Sequence, residues 1–355
     1  MHVLMKMASS NEVEFERRGA LGLVTLNRPK ALNALTLGMI KAMRAQLRAW
    51  EDDARVTRVV VQGSGGRAFC AGGDVRRIYE AARAGEHELM FEIWRSEYDL
   101  VAAMARYAKP IIALIDGIAM GGGVGISVHG RYRVASETYA FAMPEVGIGF
   151  IPDVGTTYLL PRLPGHSGTY LALTGNRIGP GDALALGLAT HAANAADFPA
   201  ILDGLAEEGP IDTVLSAHAA PWPSAGPVVL EAALLDACFS ADSVQAVLAN
   251  LDAVAGSDFA SATARTIRSR SPTSLCLAHE QMRRGLSLTL LEAISTEYRL
   301  VTRIMRGHDF YEGVRAVLID KDNRPAWQPA ALDDVDRTAI LSAFEPTGDP
   351  EPNFG

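Results

Sequence analysis

Residues 111–125, IIALIDGIAMGGGVG, and residues 141–155, FAMPEVGIGFIPDVG, form the two halves of the stretch that decides the fold. The first half has the unbroken apolar run of a buried strand, and it leads directly into Gly121, Gly122 and Gly123. Glycines there let backbone N–H groups approach a ligand closely, because no Cβ is in the way. A helix that begins at this point would leave its first N–H groups unpaired and its positive dipole end facing the ligand.

The second half of this stretch carries two acids, Glu145 and Asp153, each of which follows a proline and precedes Val-Gly. They are the only charged residues between Thr138 and Pro161, and most of their neighbours are apolar. Because burial disfavours the charged form, it raises the pKa of a carboxyl group and suits that group to general acid–base work. The alternative is a pair of surface loop acids. The apolar surroundings favour function, and they predict chemistry at a polarised carbonyl.

A second glycine-rich loop, FCAGGD at residues 69–74, follows one predicted strand and precedes a predicted helix. Alone it is weak evidence, since glycine-rich turns are often only turns. It lacks the Gly-Lys-Ser/Thr ending of a phosphate loop and does not match a dinucleotide fingerprint. Together with residues 121–123 it predicts two converging N–H groups, which can stabilise an enolate or a tetrahedral oxyanion by ~3 kcal/mol per donor. For residues 121–123 the alternative is close packing of a helix on a strand.

The segments around these loops alternate strands with helices. Glu12 to Thr25 and Val59 to Gln62 have strand patterns, whereas Thr36 to Asp53 repeats apolar residues at helical spacing. Residues 75–107 are predicted to be mostly helical, with a break at Gly85. A recurring strand–loop–helix order indicates an α/β fold.

The later part of the chain changes in character at APWPSAGP (residues 220–227), which has the composition of a linker. A boundary between about 215 and 228 divides the chain into a core over residues 1–218 and a mainly helical region over residues 228–355. In that region Ser271 and Pro272 have the types of an N-cap and a first helical residue. The last residues, TGDPEPNFG (347–355), are expected to be frayed.

Composition and charge exclude several classes of protein. The 355 residues are 48% hydrophobic and 21% charged, as in an ordinary soluble globular protein. The net charge of -8 argues against broad attraction to nucleic acid or to an anionic membrane. Three widely spaced cysteines offer neither a disulfide framework nor a metal cluster. Since the N-terminus lacks the apolar core of a secretory signal and has acids too early for a typical transit peptide, a cytoplasmic location is predicted.

Taken together, these segments resemble the crotonase (enoyl-CoA hydratase/isomerase) superfamily. The resemblance is carried by LNRPKALNAL (26–35), AFCAGGD (68–74), GIAMGGGVG (117–125), FAMPE (141–145), IPDVGTTYLLPRL (151–163) and HDFYEGVRAVLIDKDNRPAW (308–327). It implies a spiral core of ββα units with a helical C-terminal region, and an acyl-coenzyme A thioester as substrate. It implies no metal or redox cofactor. It also implies a homo-oligomer, since family members assemble as trimers or pairs of trimers.

The resemblance also assigns roles to residues. The backbone N–H groups of Gly73 and Gly122 would form an oxyanion hole for the thioester carbonyl. Arg28, Lys30 and Arg67 are candidates for the CoA phosphates. The backbone positions expected to contact CoA are Lys30, Ala31, Leu32, Ala71 and Gly73.

Within the superfamily, three positions favour one branch. Hydratases use two glutamates, and here Gly125 stands at the first position while Glu145 keeps the second. Asp153 stands where typical hydratases have glycine, and Glu97 matches a substrate-contacting glutamate of a thioester-hydrolysing branch. The resemblance therefore implies hydrolysis of a short 3-hydroxyacyl-CoA, with Glu145 as nucleophile or general base and Asp153 orienting or protonating. The alternatives are a hydratase or isomerase with a reduced acid set, and a non-catalytic CoA-binding protein.

Overall fold

The computed structural model describes residues 12–346 and 351–354 of the chain. In chain order the strands of this part are β1 (Val13–Arg18), β2 (Leu21–Leu26), β3 (Arg58–Gly63), β4 (Ala68–Cys70), β5 (Ile111–Ile115), β6 (Ile118–Met120), β7 (Tyr132–Ala135), β8 (Ala140–Ala142) and β9 (His191–Ala192).

Helices cover the strands and make up most of the later chain. They are α1 (Leu37–Glu51), α2 (Val75–Arg83), α3 (His87–Ala105), α4 (Gly122–Val128), α5 (Thr156–Leu159), α6 (Ser167–Thr174), α7 (Pro180–Ala185), α8 (Phe198–Ala206), α9 (Ile211–Ala217), α10 (Pro227–Leu230), α11 (Ala232–Phe239), α12 (Val244–Ala253), α13 (Asp258–Arg268), α14 (Pro272–Gly285), α15 (Leu290–Ile304), α16 (Asp309–Val314) and α17 (Arg337–Ser342). Within the described ranges, none of them combines the length and the apolar composition needed to span a bilayer.

The strands form two sheets. The larger sheet has the order β1-β2-β3-β5-β7-β9, and the smaller has the order β4-β6-β8. Neighbouring strands are parallel, apart from the antiparallel pair β1 and β2. Successive strands from β3 to β8 alternate between the sheets, so each ββα unit adds one strand to each sheet and the chain advances as a spiral. The predicted α/β fold with a spiral of ββα units is confirmed.

The smaller sheet brings the two glycine-rich loops together. Because β4 and β6 are parallel neighbours, their carboxyl ends at Cys70 and Met120 lie at the same edge of the sheet. The loop at residues 71–74 leaves from one of these ends, and residues 121–123 leave from the other. Strand β8 pairs with β6 on its other side and leads to Glu145. The segments that carry the candidate site therefore meet at one sheet edge.

The N-terminal strand pattern is divided by a turn. Glu12 to Thr25 was predicted as strand, and this segment folds into a hairpin in which Val13 pairs with Leu26. The turn is at Gly19, whose φ of 52° lies in the left-handed region that glycine enters at little cost. A Cβ at Gly19 would also lie 2.3 Å from the carbonyl oxygen of Ala206. A single glycine within a strand pattern was therefore a turn signal that the apolar alternation concealed.

The helical C-terminal region packs directly on the spiral core. Residues 219–226 have no regular secondary structure, and a single cluster of buried apolar side chains extends from Val13 to Phe354. The division at residues 218 and 228 stays a prediction. The predicted cap is confirmed, since Ser271 Oγ accepts the N–H of Ser274 at 3.1 Å and Pro272 begins α14.

The expectation of a frayed end is wrong for residues 351–354. Phe354 is 3% exposed, and its ring centroid lies 6.2 Å from that of Tyr98. Its carbonyl oxygen accepts a hydrogen bond from Arg106 Nη2 at 2.7 Å. Arg299 donates to both carboxylate oxygens of Glu351, at 2.6 and 2.7 Å. Residues 347–350 and 355 lie outside the described part.

Candidate active site

The N–H group of Gly73 is turned toward the candidate site by a parallel bridge. In this bridge Leu35 donates its N–H to the carbonyl of Gly72 at 2.8 Å, and Asp74 donates its N–H to the carbonyl of Leu35 at 2.9 Å. Both bonds use atoms that flank Gly73. Because adjacent peptide groups of an extended chain point in opposite directions, the N–H of Gly73 itself faces away from Leu35.

The N–H group of Gly122 meets that of Gly73. Gly122 is the first residue of α4, so its N–H has no acceptor within the helix. A Cβ at Gly122 would lie 3.3 Å from the nitrogen of Gly73 and 2.0 Å from Glu97 Oε1. Position 122 therefore requires glycine, and the backbones of Gly73 and Gly122 lie close together. The predicted convergence of these two loops is confirmed.

Glu145 lies beside the same turn. It begins a short 3₁₀ turn, Glu145–Ile148, and is 7% exposed. Its Oε1 lies 2.9 Å from the position that a Cβ would have at Gly121. Its Oε2 is buried and has no hydrogen-bond partner among the described residues. A buried carboxyl oxygen without a partner is unusual in a folded protein and is typical of a functional group that awaits a ligand.

Asp153 is held by a residue that the sequence did not identify. The hydroxyl of Tyr98 donates a hydrogen bond to Asp153 Oδ2 at 2.7 Å, and both side chains are buried. Tyr98 follows Glu97 on α3, so one helical turn carries one acid of the site and the partner of another. Asp153 is close enough to Glu97 and Glu145 for its charge to raise the pKa of both.

Glu97 completes the pocket wall. It is 1% exposed, and its Oε2 lies 3.4 Å from the position of a Cβ at Gly73. Its Oε1 has no hydrogen-bond partner within the described ranges. The Glu97 side chain thus faces both Gly73 and Gly122, and its Oε1 can accept a hydrogen bond.

Burial changes the proton affinity of all three acids. It raises the pKa of Glu97 to about 8, with a smaller contribution from Asp153. It raises the pKa of Asp153 to about 7, although the hydrogen bond from Tyr98 lowers it. Burial and then the charge of Asp153 raise the pKa of Glu145 well above its ordinary value. Since two carboxylates in one desolvated pocket cannot both ionise cheaply, the pair Glu145 and Asp153 retains one proton near neutral pH.

The segments expected to contact CoA lie next to each other. Lys30 and Ala31 are exposed in the 3₁₀ turn Pro29–Ala31, and Leu32 follows them. Ala71 donates its N–H to the carbonyl of Leu32 at 3.0 Å, which joins this turn to the loop at residues 71–74. A role in CoA binding stays a prediction for all of these positions.

The basic candidates for CoA phosphates differ in their surroundings. Arg28 is engaged by two carboxylates, with Asp74 at 3.2 Å and Glu12 at 3.1 Å. Lys30 and Arg67 are exposed. These two are therefore the better candidates. No group of three or more His, Cys, Asp or Glu within residues 12–346 and 351–354 could hold a metal ion, and the prediction that no cofactor is required stays a prediction.

Gly125 has no room for a side chain. A Cβ there would lie 2.6 Å from Val154 Cβ and 3.0 Å from Val101 Cγ2. Val154 directly follows Asp153, so the residue that fills this space belongs to the acid-bearing loop. A second acid at position 125 is therefore excluded by packing as well as by the sequence.

Gly125→Ala is expected to destabilise the protein by about 1–3 kcal/mol, because the added methyl overlaps Val154 and overpacks the core. Chemical denaturation measures the change. Gly209→Ala is the matched control, since nothing lies within 4 Å of a Cβ at that position. Equal stability of both variants would contradict the packing described here.

Three residues that support the acid-bearing loop were not assigned to the site from the sequence. Glu297 accepts the N–H groups of Gly155 and Thr157 at 2.7 and 2.9 Å. Its pKa is raised to about 8 by burial and by Asp153, against these hydrogen bonds. The other two are His129 and Gln281. In the sequence these residues differ from their neighbours only as polar residues on otherwise apolar helix faces. Such a residue more often has an ordinary structural role.

Comparison with known proteins places this architecture in a family. A family model described as enoyl-CoA hydratase/isomerase matches residues 21–344. Two solved structures superpose closely: a carnitinyl-CoA dehydratase from Mycobacterium thermoresistibile (TM-score 0.92, 41% identity, 97% of this chain and 99% of that one) and an enoyl-CoA hydratase from Rhodobacter sphaeroides 2.4.1 (TM-score 0.87, 38% identity, 95% and 98%). The chain belongs to the enoyl-CoA hydratase/isomerase, or crotonase, family.

The curated relatives described next all carry the name of one enzyme. The chain is 46% identical to the mitochondrial 3-hydroxyisobutyryl-CoA hydrolase of Xenopus tropicalis over 341 residues, which cover 94% of this chain and 88% of the relative. It is 44% identical to that of Rattus norvegicus over 360 residues (99% and 93%) and 43% identical to that of Homo sapiens over 355 residues (98% and 92%). The thioester-hydrolysing branch expected from Gly125, Glu145 and Asp153 is thus the branch of these relatives.

The predicted cytoplasmic location is wrong on the same finding, because these relatives are named as mitochondrial enzymes. The prediction depended on the composition of the N-terminus, and residues 1–11 lie outside the described part. Net charge and cysteine spacing describe solubility and redox chemistry, which several compartments share.

Proposed function

We propose that this protein hydrolyses the thioester of a short 3-hydroxyacyl-CoA, 3-hydroxyisobutyryl-CoA, to the hydroxy acid and free CoA. The observation that carries the proposal is the buried, coupled pair Glu145 and Asp153, with Glu145 beside Gly121 at the turn where the N–H groups of Gly73 and Gly122 meet. The name shared by relatives at 43–46% identity supports the substrate. A place in valine degradation is part of the proposal, which the name of those relatives supports.

The oxyanion hole would act on the thioester carbonyl. As the carbonyl carbon becomes tetrahedral, its oxygen gains negative charge, and the N–H groups of Gly73 and Gly122 stabilise that charge. Because these donors are fixed by a parallel bridge and by the start of α4, they need no reorganisation during the reaction. Each such donor contributes about 3 kcal/mol to stabilisation of the transition state.

The shared proton lets the two acids divide the remaining work. When the proton is on Asp153, the carboxylate of Glu145 either attacks the carbonyl carbon or takes a proton from a water molecule whose oxygen attacks that carbon. The C–S bond then breaks and its electron pair leaves with the CoA sulfur, which Asp153 protonates. In the first route the resulting anhydride is hydrolysed by water. Both routes consume one water and require no metal or redox group.

Glu97 and Asp153 would also recognise the substrate. A 3-hydroxyl group can donate a hydrogen bond to Glu97 Oε1, the buried oxygen without a partner. Leaving such an oxygen unpaired is costly in a closed pocket, so a substrate that lacks the hydroxyl is disfavoured. We therefore expect a preference for hydroxyacyl over simple acyl groups.

The pH dependence follows from the shared proton. We expect kcat/KM to rise with pH through about 7, as the pair Glu145 and Asp153 loses its first proton and one carboxylate becomes available. It should fall again at higher pH, when the pair loses its second proton and no acid remains to protonate the sulfur. Steady-state rates across a pH series measure this bell-shaped profile. A flat profile across neutral pH would contradict the shared proton.

Thiol release across a panel of acyl-CoA thioesters tests the proposed function. The panel includes 3-hydroxyisobutyryl-CoA, its homologues and isobutyryl-CoA, which lacks the hydroxyl. We expect the highest kcat/KM for 3-hydroxyisobutyryl-CoA. Crotonyl-CoA is the counter-test, because a hydratase would consume its conjugated double bond without releasing thiol. Hydration of crotonyl-CoA without any thiol release would overturn the proposal, and binding without turnover would favour a CoA-binding protein.

A further inference from the structure

We infer that Glu297, on α15, is a positioning residue that fixes the direction of the Asp153 side chain by holding the backbone of residues 152–157. The inference rests on the proposed function, since it assigns Glu297 a part in the same reaction. It arises from two independent features of one loop: a backbone in an unfavourable conformation and a buried carboxylate that holds it there.

The unfavourable conformation is at Val154, immediately after Asp153. Its φ is 54°, in the left-handed region. For a β-branched residue this region is a real outlier, because its side chain is crowded against the backbone. Left to local preference, this segment would adopt a negative φ at Val154 and carry Asp153 in another direction. Such strain persists only where surrounding contacts over-determine it, and it is common at active sites.

Glu297 supplies the strongest of those contacts. Its side chain is 0% exposed. Oε2 accepts the N–H of Gly155 at 2.7 Å, and Oε1 accepts the N–H of Thr157 at 2.9 Å. A carboxylate that accepts two N–H groups from positions 155 and 157 fixes the peptide that follows Val154. Because the two oxygens belong to one side chain, a single residue holds two backbone donors of the loop at once.

Two more side chains hold the same loop from other helices. His129 Nε2 lies 2.8 Å from the carbonyl oxygen of Val154. Gln281 Nε2 donates to the carbonyl of Pro152 at 2.9 Å. They hold carbonyl groups, whereas Glu297 alone among these three accepts N–H groups. Replacing Glu297 therefore leaves the Val154–Gly155 peptide held only at its carbonyl oxygen, and it releases the N–H groups of Gly155 and Thr157.

The arrangement connects Glu297 to the reaction without contact with substrate. Asp153 is fixed at its carboxyl end by Tyr98 and at its backbone by Thr156, whose Oγ1 donates to the Asp153 carbonyl at 2.7 Å. A change of φ at Val154 would therefore force Asp153 to leave Tyr98 or Thr156. Because positioning affects the chemical step more than substrate binding, its loss should appear in kcat and not in KM.

A double-mutant cycle tests the inference. Glu297→Gln offers one acceptor oxygen and turns an NH₂ group toward the second N–H donor, and we expect kcat to fall about 30-fold with KM changed less than about threefold. Val154→Gly adopts a positive φ without strain. In the Val154→Gly background, the same Glu297→Gln change should therefore lower kcat by less than about fivefold. Glu280→Gln, a buried glutamate paired with Arg283 and Arg284, is the matched control.

The outcomes separate this inference from the proposed function. Absence of thiol release in the unmutated protein defeats the proposed function. Normal kcat in Glu297→Gln, or an equal loss in both backgrounds, defeats only the positioning role. If Glu297→Gln does not fold, Glu297→Asp takes its place, because the shorter carboxylate reaches one N–H donor and not both. A lowered melting temperature with unchanged kcat would make Glu297 merely structural and overturn the inference.

Discussion

Glu145→Gln is expected to lower kcat for thioester hydrolysis by at least about 10³-fold, at the upper end of what nucleophilic or general-base catalysis contributes. Glutamine has nearly the same shape, so the pocket between Gly121 and residue 145 stays filled. It can neither attack the carbonyl carbon nor accept a proton from water. Stopped assays of thiol release measure kcat, and calorimetric titration measures the affinity for a CoA thioester, which should stay within a few-fold of the unmutated value.

The control for this variant is a buried glutamate outside the pocket. Glu280→Gln removes a charge that is 8% exposed and paired with two arginines on its own helix. Its kcat should be unchanged. If Glu145→Gln kept a tenth or more of the original kcat, Glu145 would not be the residue that acts on the thioester.

Asp153→Asn is expected to lower kcat by about 10²–10³-fold, the range of a lost proton donor in general acid–base catalysis. Asparagine can still accept the hydrogen bond from Tyr98, so the loop geometry is retained. It cannot carry the shared proton to the leaving sulfur. The alkaline limb of the pH profile should also disappear, because that limb reports the loss of the proton that Asp153 supplies to the sulfur. Steady-state rates over a pH series test both effects.

Tyr98→Phe is the companion variant for Asp153→Asn. It removes only the hydroxyl that lowers the pKa of Asp153, so the acid limb should move to higher pH while activity at high pH is largely kept. If Asp153→Asn raised KM and left kcat unchanged, Asp153 would bind substrate without taking part in the chemistry.

Features set by short stretches of sequence could be predicted. The start of α4 at Gly122 follows from glycines after a buried strand, and the start of α14 follows from Ser271 and Pro272. The parallel sheet edge then follows from the strand–loop–helix order. Because Glu145 and Asp153 are isolated acids among apolar residues, their burial could also be predicted, and the structure confirms it.

Features that depend on contacts between distant residues could not be predicted. Glu297 meets Gly155 across 142 positions in the chain, and Phe354 meets Arg106 across 248. A buried glutamate on an amphipathic helix looks the same in sequence as a solvated one. The positive φ of Val154 follows from no local preference of valine, and the side chains that contact this loop come from other helices. The supporting shell of the site therefore emerged only from the folded structure.

A structure of the Glu145→Gln variant bound to 3-hydroxyisobutyryl-CoA would show where the thioester lies. We expect its carbonyl oxygen about 2.7–3.1 Å from the backbone nitrogens of both Gly73 and Gly122, with its carbonyl carbon next to residue 145 and its hydroxyl on Glu97. A carbonyl that faces away from both N–H groups, with residues 145 and 153 out of reach of the thioester, would contradict this expectation.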